Sequence, residues 1–273
     1  MTAAPTLTAY LDANPSPRVL VTVTVLATGT QTVTITRVTE GRSFKVRGGV
    51  NLYAVGGVVV MDYECPFGVV ATYRVEMFDV NGLSLGFTDA AAVTLAVTQT
   101  WIHQPLKPLL AVNVTLLLGT ADALVRKSPG NLIYPEGATT GTWIGTQREG
   151  LTGTKIAFIM NSTSDADRLQ SMFGGYTTDF PAILCIRTAA PIRLPRILFA
   201  ACSAPSETSM ALGSIVTFDL TVDEVAAPFP GLIIPTLRRA DIDAAFTTRS
   251  ARAAAYSTRL QRDSDYSKAG LAG

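Results

Sequence analysis

One pentapeptide has the residue spacing of a serine-hydrolase nucleophile. Gly82-Leu83-Ser84-Leu85-Gly86 matches the Gly-X-Ser-X-Gly motif, in which a sharp strand-to-helix turn presents the serine to a histidine base. Here strand-like segments lie on both sides of the motif and no helix pattern follows it. The only histidine, His103, lies too close in sequence for the usual hydrolase layout. We therefore expect an ordinary β-hairpin here and no catalytic serine.

The other residues whose side chains could take part in catalysis or metal binding lack suitable neighbours. No cluster of His, Cys and carboxylate residues at metal-ligand spacing surrounds His103, so we expect it to be a packing residue. Asp62 and Glu64 alternate on one predicted strand and share a face, as paired glycosidase carboxylates could. A loop follows at once, so we expect solvated carboxylates at a rim, as for Asp223 and Glu224. The sequence predicts no catalytic residue, no cofactor and no metal site.

Charge and composition exclude several classes of partner. The net charge of +1 gives no field that would attract nucleic acid or an anionic membrane. The glycines at 48, 49, 56 and 57 are not followed by the Gly-Lys-Ser/Thr of a phosphate-binding loop. The apolar segments 109–118 and 197–202 are far shorter than the roughly 20 residues that cross a bilayer. We expect no nucleic-acid partner and no membrane span.

The N-terminus and the cysteines indicate where the chain folds. Residues 1–17 lack the basic start and apolar core of a signal peptide, so we expect folding in a cytoplasm. The chain has three cysteines, which is an odd number, and they lie far apart in sequence at Cys65, Cys185 and Cys202. This favours buried thiols over disulfides or a zinc site. Hydrophobic residues make up 48% of the chain and charged residues 16%, so we expect a folded protein covered by copies of itself or by partners.

The first hundred residues have the two-residue alternation of β-strands. Thr32–Val38 alternates strictly, with Val33, Ile35 and Arg37 on one face, and Asn81-Gly82 is typical of a hairpin turn. After an N-terminal extension over 1–17, we predict a β-sandwich over 18–98. Its further strands are predicted at 43–47, 58–63, 71–79, 84–88 and 93–98.

Beyond the sandwich, Pro105 and Pro108 break the pattern and predict a linker over 99–108. A second β-rich domain with one short helix is predicted over 109–230. The helix starts with Ser164 as its N-cap and ends at Gly174-Gly175. The strands of this domain are predicted at 112–118, 123–126, 142–147, 154–160, 183–187, 197–202 and 215–222.

Residues 231–273 are predicted to be a C-terminal strap and helical arm. The apolar, proline-containing segment 225–235 indicates an extended strap, and helices are predicted over 239–246 and 249–260. Such short helices are marginal alone in water and need a surface to pack on. We therefore predict an arm that contacts a neighbouring chain, with these interface residues: Phe246, Arg249, Arg252, Tyr256 and Arg259.

Two resemblances extend this interpretation. Residues 71–82 resemble the penultimate strand and turn of fibronectin type III domains, with Tyr73 in the place of the corner tyrosine; the core tryptophan of that family is absent before Trp101. The whole chain resembles minor tail proteins of siphophages that infect actinobacteria. The segments that carry this resemblance are Tyr63-Glu64-Cys65-Pro66-Phe67-Gly68, Thr72-Tyr73-Arg74-Val75-Glu76, Trp101-Ile102-His103-Gln104-Pro105, Tyr134-Pro135-Glu136-Gly137, Pro191-Ile192-Arg193-Leu194-Pro195, 239–246 and Asp265-Tyr266.

The second resemblance implies a virion structural protein at the distal end of a phage tail and not an enzyme. Such proteins resemble the distal tail protein, so a ring of copies, hexameric or trimeric, would join the tail tube to the baseplate hub. Expected partners are the chain itself and other tail proteins: tube, hub and tape measure. The alternative is a receptor- or carbohydrate-binding module, with candidate aromatic platforms at Trp101, Trp143, Tyr53 and Tyr134. A tail-associated hydrolase is a third and weaker hypothesis.

Overall fold

The computed structural model describes residues 3–160, 162–175, 180–210, 215–231, 237–263, 265–269 and 271–272. The described strands, in chain order, are β1 (Thr6–Tyr10), β2 (Arg18–Val23), β3 (Thr32–Thr39), β4 (Arg42–Lys45), β5 (Leu52–Tyr53), β6 (Val58–Asp62), β7 (Val70–Phe78), β8 (Ser84–Phe87), β9 (Ala91–Thr94), β10 (Thr100–Gln104), β11 (Lys107–Leu116), β12 (Val125–Arg126), β13 (Gly130–Ile133), β14 (Thr142–Gly145), β15 (Leu151–Thr152), β16 (Thr154–Met160), β17 (Ile183–Arg187), β18 (Ile197–Cys202), β19 (Ser206–Met210) and β20 (Ile215–Glu224). The described α-helices are α1 (Thr163–Met172), α2 (Arg239–Ala245), α3 (Arg249–Ala255) and α4 (Arg259–Asp263), and a 3₁₀-helix follows at Tyr266–Lys268. The predicted mainly β fold is confirmed.

The chain forms two compact units that interleave along the sequence. The first unit comprises 1–113, 185–197 and 227–273, and the second comprises 114–184 and 198–226. Three of the four passages between units fall inside strands β11, β17 and β18. The predicted division into a sandwich over 18–98 and a consecutive domain over 109–230 therefore differs from the compact units.

The core of the first unit lies between two antiparallel sheets. One sheet has the order β1-β2-β6, and the other has the order β4-β3-β7-β8, with β5 on β3 and β9 on β7. Residues of both sheets contribute to this core, which is the arrangement of a β-sandwich. As predicted, Val33, Ile35 and Arg37 of β3 all face the interior. β-branched side chains from both sheets fill the shared core, where a stiff residue loses little freedom by packing on a pleat.

Two predictions about the ends of the sandwich were wrong. Residues 6–10 are not part of an extension but form β1, which pairs along its whole length with β2. Residues 99–108 are not a linker, because 100–104 form the fully buried strand β10, which pairs with β17. The prolines do not prevent this: Pro105 lies in the turn after β10, and Pro108 is only the second residue of β11.

The second unit is built on the long antiparallel pair of β16 and β20. Their register joins seven residue pairs, from Thr154–Val222 to Met160–Val216, and β19 covers the other side of β20. The Phe158 and Phe218 rings stack across the pair with centroids 5.7 Å apart. Helix α1 packs on these strands through Ala166, Leu169 and Met172, which confirms the predicted helix. The predicted N-cap was wrong, because Ser162 caps the helix and Ser164 lies inside its first turn.

The arm at the C-terminus has one more helix break than predicted. A single helix was expected over 249–260, but α3 ends at Ala255 and α4 starts at Arg259. The cause is a capping box: Thr258 Oγ1 accepts a hydrogen bond from the Gln261 amide (3.2 Å), and Gln261 Oε1 accepts from the amides of Ser257 (2.9 Å) and Thr258 (3.3 Å). A new helix start here competes with continuation of α3. Within the described residues, no helix is long and apolar enough to span a membrane.

Candidate functional site

The interior of the first unit contains charged side chains that sequence reasoning placed at the surface. Asp62 leaves the end of β6 and accepts hydrogen bonds from the Arg37 guanidinium of β3 and from the Tyr73 hydroxyl of β7 (2.8 Å). All three side chains are buried. Burial raises the pKa of Tyr73 far above its usual value, and the Asp62 charge raises it further. The predicted solvated carboxylate at position 62 was wrong, because a buried arginine neutralises it.

A second ion pair lies on the same strand end. Glu64 accepts a hydrogen bond from Arg47 Nε (2.7 Å), and the two amino groups of Arg47 donate to the carbonyls of Phe229 (3.1 Å) and Pro228 (3.0 Å). Glu64 is therefore also buried and not solvated. Gly48 adds a backbone bond to the Pro230 carbonyl (3.0 Å), which fixes residues 228–230 on the sandwich. The predicted strap is confirmed for this part, and 232–235 lie outside the described residues.

Arg187 and His103 complete the buried polar cluster. Arg187 donates to the carbonyls of Pro17 (2.8 Å) and Cys65 (3.1 Å) and to the Ser16 hydroxyl (3.0 Å), and it stacks over the Phe67 ring. His103 is 0% exposed, and neither ring nitrogen has a hydrogen-bond partner. Burial lowers its pKa well below the usual value, and the charges of Arg187 and Arg47 lower it further. The imidazole is held neutral, as a packing residue.

This cluster is built for structure and not for acid–base chemistry. Proton transfer requires a group within hydrogen-bond reach of a substrate. Asp62 and Glu64 are only 2% and 5% exposed, and each carboxylate forms an ion pair with an arginine. Three guanidinium groups and two carboxylates thus tie β3, β6, β17 and the 228–230 segment into one interior.

The serine motif lies in a hairpin, as predicted. Gly82 occupies the turn with a φ of +78°, and the Asp79 carboxylate accepts bonds from the amides of Asn81 and Leu83, both 2.8 Å. Ser84 is exposed on β8, where its hydroxyl donates to Glu76 Oε1 (2.9 Å). Since His103 is fully buried, it does not serve this serine as a base.

The three cysteines are buried free thiols, as predicted. Burial raises the pKa of both Cys65 and Cys202 to about 12, so neither is a nucleophilic thiolate near neutral pH. Among the described residues, no group of three or more His, Cys, Asp or Glu side chains is arranged to hold a metal ion.

The five predicted interface residues lie on the arm, and four of them contact one another or nearby arm residues. Phe246 and Tyr256 pack edge to face with centroids 5.3 Å apart, and both are half-buried. Arg252 pairs with Asp243, and Arg259 pairs with Asp263 (3.1 Å), while Arg249 is exposed. Their role towards a neighbouring chain stays a prediction.

The four candidate aromatic platforms differ in how far their side chains are exposed. Trp101 is buried in β10, so it offers no platform. Tyr53 is exposed and lines an open cleft of about 450 Å³ between residues 52–59 and 258–263. In the second unit, Trp143 is 55% exposed on β14, and Tyr134 is 60% exposed directly after β13, the strand that pairs with β14.

That hairpin, β13 and β14, is the surface feature that sequence reasoning missed. Leu132 pairs with Trp143 and Ile133 with Thr142, yet only a strand over 142–147 was predicted. The hairpin presents five large apolar side chains that are between 49% and 60% exposed: Leu132, Ile133, Tyr134, Trp143 and Ile144. The available signal was Leu132-Ile133-Tyr134 followed nine residues later by Trp143-Ile144, two short apolar groups separated by turn residues.

Comparison of the chain with protein-family models, with curated proteins and with solved structures gives no match.

Proposed function

We propose that this protein is a virion structural protein of a phage tail tip, which assembles into a ring joining the tail tube to the baseplate. Its activity is assembly: apolar surface that is exposed on one chain is covered by a copy of itself or by a neighbouring tail protein. The segments described above that resemble siphophage minor tail proteins support the placement in a tail.

The single observation that carries the assembly proposal is the exposed β13–β14 hairpin. Large apolar side chains in water are normal when they occur singly, but a contiguous group marks an interaction site. Four of them on one two-stranded hairpin, together with Tyr134 directly after β13, form such a group. Two-stranded hairpins are also marginally stable alone in water, so a covering partner stabilises this one.

The buried cluster also favours a structural role. Its ion pairs and hydrogen bonds connect residues far apart in sequence: Arg37 pairs with Asp62, and Arg187 donates to the Pro17 carbonyl. An interior bound in this way is rigid, and rigidity suits a component that holds fixed contacts on several sides. The proposed partners are further copies of the chain, then tube, hub and tape-measure proteins.

Labelling of phage particles tests this proposal. An antibody raised against the purified protein, coupled to gold, is applied to particles of the phage that encodes it. The proposal expects gold only at the distal end of the tail. Labelling of the capsid, or absence of the protein from purified particles by mass spectrometry, contradicts it.

One observation favours the alternative of a carbohydrate-binding module. The Trp143 indole lies across Gly130 and Gly145, where an added Cβ would be 2.6 Å and 2.5 Å from indole atoms, and Tyr134 lies on the same face. Flat, exposed aromatic faces are surfaces on which sugar rings can stack. Binding on a glycan array by the purified protein, abolished by Trp143→Ala, would favour this alternative over assembly.

A further inference from the structure

Strand β6 lies at the end of its sheet and carries no charge over most of its length. In the described part of the chain it pairs only with β2, so one side of its backbone faces away from the sheet β1-β2-β6. Residues 58–61 are three valines and a methionine. Uncharged edges rich in β-branched residues pair readily with further strands, and proteins normally block such edges with charges, prolines or a covering element.

One hydrogen bond shows which backbone groups of β6 face outward. Burial raises the pKa of Tyr266 to about 12, and a hydrogen bond with the Met61 backbone lowers it. A bond that lowers the pKa of a phenol is donated to its oxygen, so the Met61 amide donates to the Tyr266 hydroxyl. The Met61 amide therefore points away from β2. Backbone groups alternate in direction along a strand, so Val59 directs its amide and carbonyl to the same outer side.

The C-terminal arm runs along this outer side of β6. Tyr266 belongs to the 3₁₀-helix near the end of the arm, and helix α4 lies close to β6. Val58 and Val59 line one side of the open cleft described above, and residues 258–263 of the arm line the other. At Met61, the Tyr266 hydroxyl accepts the bond that the carbonyl of a further strand would accept.

Few buried apolar contacts hold the arm in place. Within the described residues, α3, α4 and the 3₁₀-helix contain no buried side chain, and Tyr266 itself is half-buried. The hydrogen bonds from Tyr256 to Asp265 (2.6 Å) and from the Ala272 amide to Asp241 (3.0 Å) join parts of the arm to one another and not to β6. Segments with few buried apolar contacts open at a lower free energy than the core does.

We propose that the arm is a releasable cover of the β6 edge, which keeps this strand from pairing with another strand while the arm is in place. After release, β6 pairs with β6 of a second copy, because an antiparallel pair of residues 58–61 brings apolar side chains and no like charges together. Every contact that carries this inference lies within one chain, so the inference does not depend on the proposed tail function.

Amide hydrogen exchange, followed by NMR in the full-length protein, tests the contact itself. Tyr266→Phe removes the hydroxyl and keeps the ring, so the Met61 amide should exchange about tenfold faster, as expected for the loss of one hydrogen bond. Tyr53→Phe makes the same chemical change at an exposed tyrosine that lines the cleft, and it should leave exchange at Met61 unchanged. Equal exchange at Met61 in Tyr266→Phe and the wild type overturns the proposal.

Sedimentation velocity tests the consequence for association. Tyr266→Ala removes the ring as well, so the full-length variant should self-associate at least about tenfold more strongly than the wild type. Addition of Val59→Lys should cancel this increase, because a lysine blocks edge pairing. Addition of Thr8→Lys is the matched control, because Thr8 is exposed on β1, at the other edge of the same sheet, and it should not cancel the increase. Circular dichroism establishes that each variant retains its β-structure.

Three results of the association experiment contradict the cover. They are self-association of Tyr266→Ala no stronger than that of the wild type, an increase that Val59→Lys fails to cancel, and equal suppression by Val59→Lys and Thr8→Lys. None of them bears on the tail assignment, which the gold labelling of phage particles decides separately.

Discussion

At the scale of single residues, Asp62 and Glu64 are buried in the first unit, and each pairs with an arginine. The alternation of Asp62 and Glu64 predicted a shared strand face, but β6 ends at Asp62, and Glu64 lies beyond it with its amide bonded to Asp62 Oδ1 (2.8 Å). Their burial could not be predicted, because the arginines that neutralise them come from elsewhere in the chain: Arg37 lies on β3, and Arg47 lies in the turn after β4. Local spacing identifies a face but not what lies opposite it.

Removal of the Asp62 carboxylate should be strongly destabilising. Asp62→Ala leaves the fully buried Arg37 charge without its partner, and loss of one member of a buried pair costs about 3–5 kcal/mol in the free energy of unfolding. Urea denaturation measures the change. Tyr73→Phe, which removes one hydrogen bond to the same carboxylate, should cost about 1 kcal/mol.

Asp12→Ala is the matched control for Asp62→Ala. Asp12 pairs with Arg18 at the surface, where its side chain is 51% exposed, and exposed pairs contribute at most about 1 kcal/mol. Equal losses of stability in Asp12→Ala and Asp62→Ala would contradict the buried ion-pair account.

The neutral His103 should make the protein less stable in mild acid. Its pKa in the folded protein is depressed, so below about pH 6.5 the unfolded chain binds a proton that the folded protein does not. The free energy of unfolding should then fall by about 1.4 kcal/mol per pH unit between about pH 6 and 5. Ordinary carboxylates titrate lower, near pH 4, and the chain has no other histidine.

Urea denaturation of the wild-type protein and of His103→Leu between pH 7.5 and 5 measures this dependence. Leucine has no proton to gain in the unfolded chain, so the variant should show a flat profile over this interval. Parallel profiles for the two proteins would show that His103 does not carry the effect.

At the scale of elements, the sequence patterns predicted most of the described strands and the positions of α1, α2 and α3, but neither α4 as a separate helix nor the 3₁₀-helix at Tyr266–Lys268. The hairpin turn at Asn81-Gly82 and the presence of helix α1 follow from local rules and were correct. The single helix over 249–260 was wrong, because Thr258 and Gln261 form a capping box that starts α4. Strand β10 was missed because its prolines lie just outside it, where they do not interrupt the pairing.

The turn before β6 tolerates a side chain at one glycine and not at its neighbour. Gly56 and Gly57 both have positive φ, but a Cβ at Gly57 would lie 2.8 Å from the Val23 carbonyl oxygen, whereas Gly56 faces open space. Gly56→Ala should cost about 1–2 kcal/mol from backbone strain alone. Gly57→Ala should cost about 1–3 kcal/mol more, because the β2 backbone must move. Equal unfolding midpoints in urea would contradict this assignment.

At the scale of the whole molecule, local patterns did not predict how the chain divides. Residues 185–197 and 227–273 belong with the first 113 residues, although another unit's residues separate them in sequence. Pairings of high sequence separation, such as β10 with β17, leave no periodic signal that would distinguish them from neighbouring strands. The exposed hairpin was missed for a related reason. An apolar strand has the same sequence pattern whether residues of its own chain or of another chain pack against it.

The interpretation of the chain as a component of an assembly follows from surfaces and not from a catalytic centre. The C-terminal arm and the β13–β14 hairpin offer two separate regions for contacts with neighbours. Deletion of residues 235–262 should reduce incorporation into infectious tails if the arm contacts a neighbouring chain. Normal incorporation of the shortened chain would contradict a contact between the arm and a neighbouring chain. The β13–β14 hairpin would then be the one remaining candidate for assembly contacts.

An electron-microscopy map of the phage particle that carries this chain tests the central claim most directly. It shows position, copy number and contacts together. The account predicts a closed ring of copies at the distal end of the tail, with apolar hairpin residues such as Trp143 covered by a neighbouring chain. A map in which the chain is absent from the tail, or in which its copies make no contact with one another, would contradict it.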